Sequence, residues 1–411
     1  MKINIERIKR DIEAICSFNR TPGEGYTRFS YSEEDRKARE YLKAQLDLLG
    51  LKTTVDGVGN IRSRLDGSDP NAPVVMAGSH IDTVLHGGKF DGLMGTISAL
   101  EALRVIKEEG IEHRHPVELV VFPEEEGSNF RSTTTGSKFF TGYSQLSDMH
   151  QLKTPAGVSM YDTVKAFGLD PDSIGTQTVK PGDVKVMLEF HIEQSVVLDS
   201  EKTSIGIVEA IAGMKALEIV FEGVSNHAGA TPMKLRNDAL LAMSRVALAV
   251  ERLASASPYP NTVGTVGRVA CEPNVGNIIP GRVTFSLDVR DVVDEGTVYM
   301  ADAVTKEVEA AAKERGLKHS MRLLGESRAI HLSSDITDTL ASCAEEAGLK
   351  YRRMNSGAVH DCCLIADIAP IGMIFVPSIN GRSHVPQEDT RWEDIERGAN
   401  LLLSAVVRFA R

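Results

Sequence analysis

The 411-residue chain has no C-x-x-C pair, and its five cysteines, Cys16, Cys271, Cys343, Cys362 and Cys363, are odd in number. Neither a disulfide framework nor a thiolate zinc site is therefore indicated. A Lys/Arg-rich block is also missing, and the formal net charge is −11. An acidic surface without a basic patch offers neither phosphate attraction nor counterion release, so no nucleic-acid or membrane partner is expected. No apolar run approaches the ~18 residues of a membrane span. The opening MKINIERIKRDIEAICSFNR alternates charged and apolar residues at helical spacing and lacks the unbroken apolar core of a signal peptide, so a cytoplasmic location is expected. Internal repeats and low-complexity segments are absent too.

What is present is ample apolar material, 42% of the chain, on a length that exceeds one hydrophobic core and predicts two domains. From residue 30 to about 207, strand-like runs alternate with helical patterns, the mark of an α/β fold with a mostly parallel sheet. Residues 33–49 read as an amphipathic helix, and 73–78 and 117–123 as buried strands. Leu93, Ile97, Leu100 and Leu103 recur at helical spacing behind Gly92. From about 211 to 325 the order becomes β-α-β-β-α-β, with strands near 217–221, 262–270, 283–290 and 318–323 and helices near 235–253 and 298–315, a ferredoxin-like arrangement. The tail returns to a strand at 370–376 and a helix at 392–410. The expected plan is a catalytic α/β domain, 1–210 and 326–411, interrupted by an inserted ferredoxin-like dimerisation or lid domain, 211–325.

Five possible metal ligands, His80, Asp91, Glu126, His191 and His384, are spread along this plan. PVVMAGSHIDTVLHGGKFDG ends an apolar run in His80 and Asp82 and delivers Asp91 on a Gly-rich loop. VELVVFPEEEGSNF ends another in Glu124, Glu125 and Glu126, and MLEFHIEQ places His191 at a third strand end. Open α/β sheets put their sites at such carboxyl ends. Crowded carboxylates raise one another's pKa unless a cation neutralises them, and a divalent metal is the simplest remedy. Asp82, two residues beyond His80 on a strand, would face the same side and orient the imidazole. Each residue alone has a plainer reading: His80 as a hydrogen-bonded strand-end histidine, Asp91 as a helix N-cap, the glutamates as a solvated loop, and His384 as part of an ordinary polar loop.

HIDTV with KFDG, EEEGSNF, EFHIEQ, SNHAGATPM, NIIPGRVTFSLDVRD, SGAVHD and GRSHVPQED, taken in order, resemble the motif set of M20-type amidohydrolases, and more narrowly their hydantoinase/carbamoylase branch, from about residue 20 to the end of the chain. The resemblance implies that His80 and His191 bind one divalent ion and Glu126 and His384 another, with Asp91 bridging and Glu125 as catalytic base. It implies that His227, Asn277, Arg290 and Gln194 handle the substrate, together with Gly357 and Ala358 of SGAVHD. It also implies a homodimer in which His227 serves the partner subunit's substrate. Arg290 ends an alternating strand and suits a carboxylate, although an ion pair with Asp288 or Asp291 is its plainer reading.

The implied activity is hydrolysis of a linear amide or ureido bond in a small N-substituted amino acid, foremost an N-carbamoyl-L-amino acid. N-acyl deacylation, allantoate-type ureidohydrolysis and dipeptidase activity are the alternatives, and a non-catalytic binding protein is the reading from another class. Zinc fits the ligands, as do manganese, cobalt and nickel. The chain departs from the family pattern at Met214, Lys215 and Ala216, where allantoate enzymes carry Gln-Arg-Arg, at Val359 of SGAVHD, and at HVP after His384, where many relatives have HNP. These departures leave the metal chemistry intact and bear on the substrate.

Overall fold

The computed structural model describes residues 1–411. Its strands, in chain order, are β1 (Lys52–Val55), β2 (Ile61–Leu65), β3 (Val74–His80), β4 (Val117–Phe122), β5 (Val184–Ile192), β6 (Ile205–Ile211), β7 (Gly213–Glu222), β8 (Val263–Glu272), β9 (Arg282–Asp291), β10 (Lys318–Ser327), β11 (Ile330–His331), β12 (Tyr351–Ser356) and β13 (Ile371–Val376). The chain divides into two compact units, Met1–Glu209 with Leu332–Met354 and His360–Arg411, and Ala210–His331 with Asn355–Val359.

The larger sheet runs β1-β2-β4-β3-β5-β13-β6, and β11 and β12 also pair with β6. Its centre, β4-β3-β5-β13, is parallel, while β1, β2 and β6 join antiparallel. Every residue of β3, β4 and β13 is buried, which is why these strands read as near-continuous apolar runs, with Glu118 in β4 and Ser79 and His80 at the end of β3 as the polar exceptions. Helix Leu93–Glu108 is buried along all but its last two residues, packed within the core that Trp392–Ala410 and Ile5–Cys16 also build. Ser32 caps helix Glu33–Leu48 by accepting the Asp35 N–H, and three acids occupy its positive first turn. No helix is long and apolar enough to cross a membrane.

Two stretches depart from simple strand–helix alternation. The hairpin β1–β2 is short and half-exposed, so its apolar content is too low to announce it. Between β4 and β5 three short helices, Thr135–Phe140, Leu146–Gln151 and Met160–Phe167, pack around Phe130, Phe139, Met149 and Val164. Elements of two turns are too brief to display a 3.6-residue period.

The second unit holds the antiparallel sheet β10-β7-β9-β8 with helices Ala239–Ser255 and Asp294–Arg315, the β-α-β-β-α-β order. Val283, Phe285, Leu287 and Val289 of β9 are buried against residues of these helices, among them Val246, Val304 and Val308, and the alternate residues of β9 are half-exposed. Burying each such side chain contributes about 1.5–3 kcal/mol.

Candidate active site

β3 ends at His80, and the neighbouring parallel β5 carries His191 one residue before its own end. Both imidazoles turn Nδ1 to a main-chain carbonyl, His80 to Asp82 at 3.0 Å and His191 to Ile192 at 2.9 Å. Such a bond makes Nδ1 the donor and leaves the Nε2 lone pair free, as a metal ligand requires. The Gly92 N–H donates to His191 Nε2 at 3.2 Å, in keeping with that tautomer. Gly92 has φ +63°, and a Cβ there would lie 2.3 Å from His80 Nε2, so the loop carrying Asp91 approaches only as glycine.

Asp91 is buried and divides its oxygens. Oδ1 stands 3.1 Å from His191 Nε2 and 3.4 Å from His80 Nε2, and Oδ2 stands 3.3 Å from His384 Nε2. His384 Nε2 in turn lies 3.4 Å from Glu126 Oε2. Two ligand trios result, His80–Asp91–His191 and Asp91–Glu126–His384. Ligands bound at about 2.0–2.1 Å to one tetrahedral ion stand roughly 3.3 Å apart, so both trios are spaced to hold a divalent cation. Gly92 is the N-cap of helix Leu93–Glu108 and no side chain caps it, so Asp91 is not the N-cap of its plainer reading.

The electrostatics fit the same use. Burial opposes ionisation of Asp91, but the imidazoles, His191 foremost, hold its carboxyl well below the usual range. Burial and then Asp91 push Glu126 up to about 7, and burial lifts Glu125 well above its ordinary value. His384 rises to about 9, chiefly through its bond to Asp91.

The three consecutive glutamates are not a solvated loop. Glu124, fully buried at φ +56°, accepts the N–H groups of Asn129 and Phe130 at 2.7 and 3.1 Å and folds the loop back, and burial raises its pKa to about 8. Glu125 Oε2 lies 3.9 Å from His80 Nε2, beside the ligands and outside both trios.

Asp82 corrects an expectation. Its carboxylate is 3.8 Å from His80 Nδ1 and does not orient the ring, because β3 ends at His80 and the strand alternation stops there. The main-chain carbonyl of Asp82 orients His80, and its carboxylate accepts the N–H of Glu125 at 3.3 Å and of Glu126 at 3.2 Å.

Gln194, at φ +53°, donates from Nε2 to Asp91 Oδ2 at 2.7 Å, and its buried Oε1 has no hydrogen-bond partner. Glu388 is a further residue of the site. Its Oε1 accepts the N–H groups of Phe90 and Asp91, and its Oε2 accepts the Ser383 hydroxyl and the His384 N–H. An acid four residues after a candidate histidine ligand was the available signal. His360, packed edge-on to His191 with ring centroids 4.7 Å apart, had none beyond its motif.

The second unit carries His227, Asn277, Arg290, Gly357 and Ala358. Exposed His227 accepts at Nδ1 from the N–H groups of Gly229 and Ala230 at 3.0 and 3.1 Å, which places its proton on Nε2 as an outward donor. The Asn277 carbonyl accepts the Ala228 N–H at 2.9 Å. Arg290 pairs with Asp288 through Nε at 2.9 Å, its plainer reading, and Nη1 donates to the Gly357 carbonyl at 2.8 Å. The Ala358 N–H donates to Ser356 Oγ at 3.2 Å. Met214 lies opposite Arg290 in the β7–β9 register, and Lys215 pairs with Glu326 at 2.7 Å.

Residues 76–408 match peptidase family M20/M25/M40. The chain is 36% identical over 402 residues to an N-carbamoyl-L-amino-acid amidohydrolase of Paenarthrobacter aurescens, covering 98% of this chain and 97% of that one. It is 34% identical to an allantoate amidohydrolase of Escherichia coli (strain K12), with 98% of each chain covered. Among solved structures, an amidase of the hydantoinase/carbamoylase family from Burkholderia multivorans superposes with a TM-score of 0.92 at 33% identity, over 100% of this chain and 98% of that one.

Proposed function

The chain belongs to peptidase family M20/M25/M40, and on that premise we propose that it hydrolyses a linear ureido or amide C–N bond, converting an N-carbamoyl-L-amino acid and water to the amino acid, ammonia and carbon dioxide. One observation carries the reading: Asp91 offers one oxygen to His80 and His191 and the other to His384, with Glu125 alongside and outside the ligand set. His80, His191 and Asp91 would hold one divalent ion, and Asp91, Glu126 and His384 the second. Zinc suits these donors, and so do manganese, cobalt and nickel. When bound, such ions supply Lewis-acid activation of water and of the scissile carbonyl.

The chain's own groups do the rest. Glu125 takes the proton of the attacking water on its carboxylate and returns it to the leaving nitrogen. Asp82, through the Glu125 N–H, sets where that carboxylate stands. His227 of the second unit would donate from Nε2 to the developing oxyanion of a substrate bound by the partner subunit, and Asn277 would donate from its amide. Arg290 would exchange part of its pairing with Asp288 for the substrate's α-carboxylate, with Gly357 and Ala358 lining that end. The first unit is then the catalytic part and the second the dimerisation or lid part of a cytoplasmic homodimer acting on a small molecule.

Gln194 favours a ureido over an acyl group. Its buried Oε1 lacks a donor, and a terminal ureido NH2 supplies one where an acetyl methyl cannot. Allantoate also presents a ureido NH2, so that alternative remains within the same reading.

The test is ammonia release from N-carbamoyl-L-amino acids and allantoate, and amino-acid release from N-acetyl and N-formyl analogues, with metal content measured on the same preparation and a chelator-treated control. Chelator-sensitive ammonia release with about two ions per chain supports the proposal. Cleavage of acetyl substrates alone makes the protein a deacylase, and no bound metal overturns the assignment.

A further inference from the structure

Arg28 is 1% exposed, and the partners of its guanidinium are main-chain carbonyls: Nε donates to Ile81 at 2.7 Å and Nη1 to Ile15 at 3.1 Å. Ile15 lies in the last turn of helix Ile5–Cys16, where the helix dipole concentrates partial negative charge. Burial lowers the pKa of Arg28 while Cys16, Asp35 and Asp82 act against that shift, and an arginine stays charged throughout. Burying a guanidinium against carbonyls alone carries a desolvation cost that an apolar side chain of similar volume would avoid.

The backbone of the same residue grips the same turn. The Arg28 N–H donates to Thr83 Oγ1 at 2.9 Å, and the Thr83 N–H donates to the Arg28 carbonyl at 3.1 Å. Residues 81 and 83 are therefore both tied to Arg28, and Asp82 stands between them. The Asp82 carbonyl takes the Nδ1 bond of His80, and its carboxylate takes the N–H groups of Glu125 and Glu126.

We propose that Arg28 is a positioning residue for the metal and proton-transfer groups: through the Ile81–Thr83 turn it sets the ring of His80 and the main chain of Glu125 and Glu126 together. The inference rests on the roles proposed above for those three residues. Lysine would keep the charge but lose the fork that reaches two carbonyls at once, and methionine would keep the volume and lose both bonds.

The experiment uses full-length protein loaded with cobalt(II), whose visible bands report ligand geometry. Parent, Arg28→Lys and Arg28→Met are compared for folded fraction, visible spectrum, chelator competition, and kcat and KM. The expected result for Arg28→Lys is a changed cobalt spectrum and a kcat lower by about tenfold or more per folded, metal-loaded chain, with KM little changed. Arg28→Met should show the same changes in larger measure if it folds, and Arg28→Lys decides alone if it does not. A cobalt spectrum and kcat equal to the parent's, or losses that only track the folded fraction, would overturn the proposal. A parent that binds cobalt but cleaves no substrate would instead defeat the proposed reaction, and the spectral comparison would still decide the role of Arg28.

Discussion

Glu388 holds Asp91 by its main chain: one carboxylate oxygen accepts the Asp91 N–H at 3.1 Å, and the other accepts the His384 N–H at 3.3 Å. Two loops far apart in the chain are thereby set against each other by protein groups alone. Glu388→Gln keeps the first contact but can turn an amide donor toward the His384 N–H. Leaving a donor unsatisfied costs about 1–3 kcal/mol. The Asp91–Glu126–His384 position should weaken, so that metal content after dialysis falls from about two ions per chain toward one. Retention of both ions at parental affinity would contradict this.

Glu125→Gln removes the proposed proton acceptor while sparing both ligand trios. Turnover should fall by about 10²–10⁴-fold with metal content near the parent's. Parallel loss of metal would make Glu125 a ligand instead.

Gln194→Met preserves length and removes both the bond to Asp91 and the unpartnered Oε1. Activity on every substrate should drop, but the ratio of kcat/KM for N-carbamoyl over N-formyl amino acids should drop further, by about tenfold. An unchanged ratio would show that Oε1 does not read the ureido group.

Gly92→Ala would press a Cβ against the His80 ring and force alanine to φ +63°. The backbone strain alone costs about 1–3 kcal/mol. A lowered thermal midpoint and weakened metal binding are expected, with calorimetry and metal analysis as the checks. Unaltered values in both would mean that the loop yields without cost.

Burial pushes the Cys16 thiol up to about 11, so the folded state favours its neutral form. The folded pKa lies above the unfolded value near ~8.5, so this stabilisation is complete below about pH 8.5 and is lost as pH rises through about 11. The loss is on the order of 3 kcal/mol. Urea unfolding at pH 8 and pH 10.5 should show a smaller fall for Cys16→Ser than for the parent. Equal falls would clear the thiol of responsibility.

Much of this protein is readable in one dimension. Apolar runs that end in His80, the Glu124–Glu126 stretch and His191 reflect strands buried on both faces with their carboxyl ends in register, and the alternation of β9 marks a sheet covered on one face. The ferredoxin-like order of the second unit follows from periods of 2.0 and 3.6 residues that continue long enough to be counted. The three short helices between β4 and β5 carry too few turns to register, and the β1–β2 hairpin sets only Ile61 and Leu65 of β2 against the core, too little apolar material to announce it.

The sequence by itself determined which residue types reach the strand ends and, through its motifs, the family. Only the tertiary structure decided how they are oriented. It gave Asp82 to the main chain of Glu125 and Glu126 instead of to the ring of His80, engaged Glu388 with two loops, and buried Arg28 behind the site. The reason is physical: strand and helix periods are local properties of the backbone. The partner of a buried polar group is chosen by whichever donor or acceptor the fold brings within about 3 Å, and that neighbour can lie anywhere along the chain.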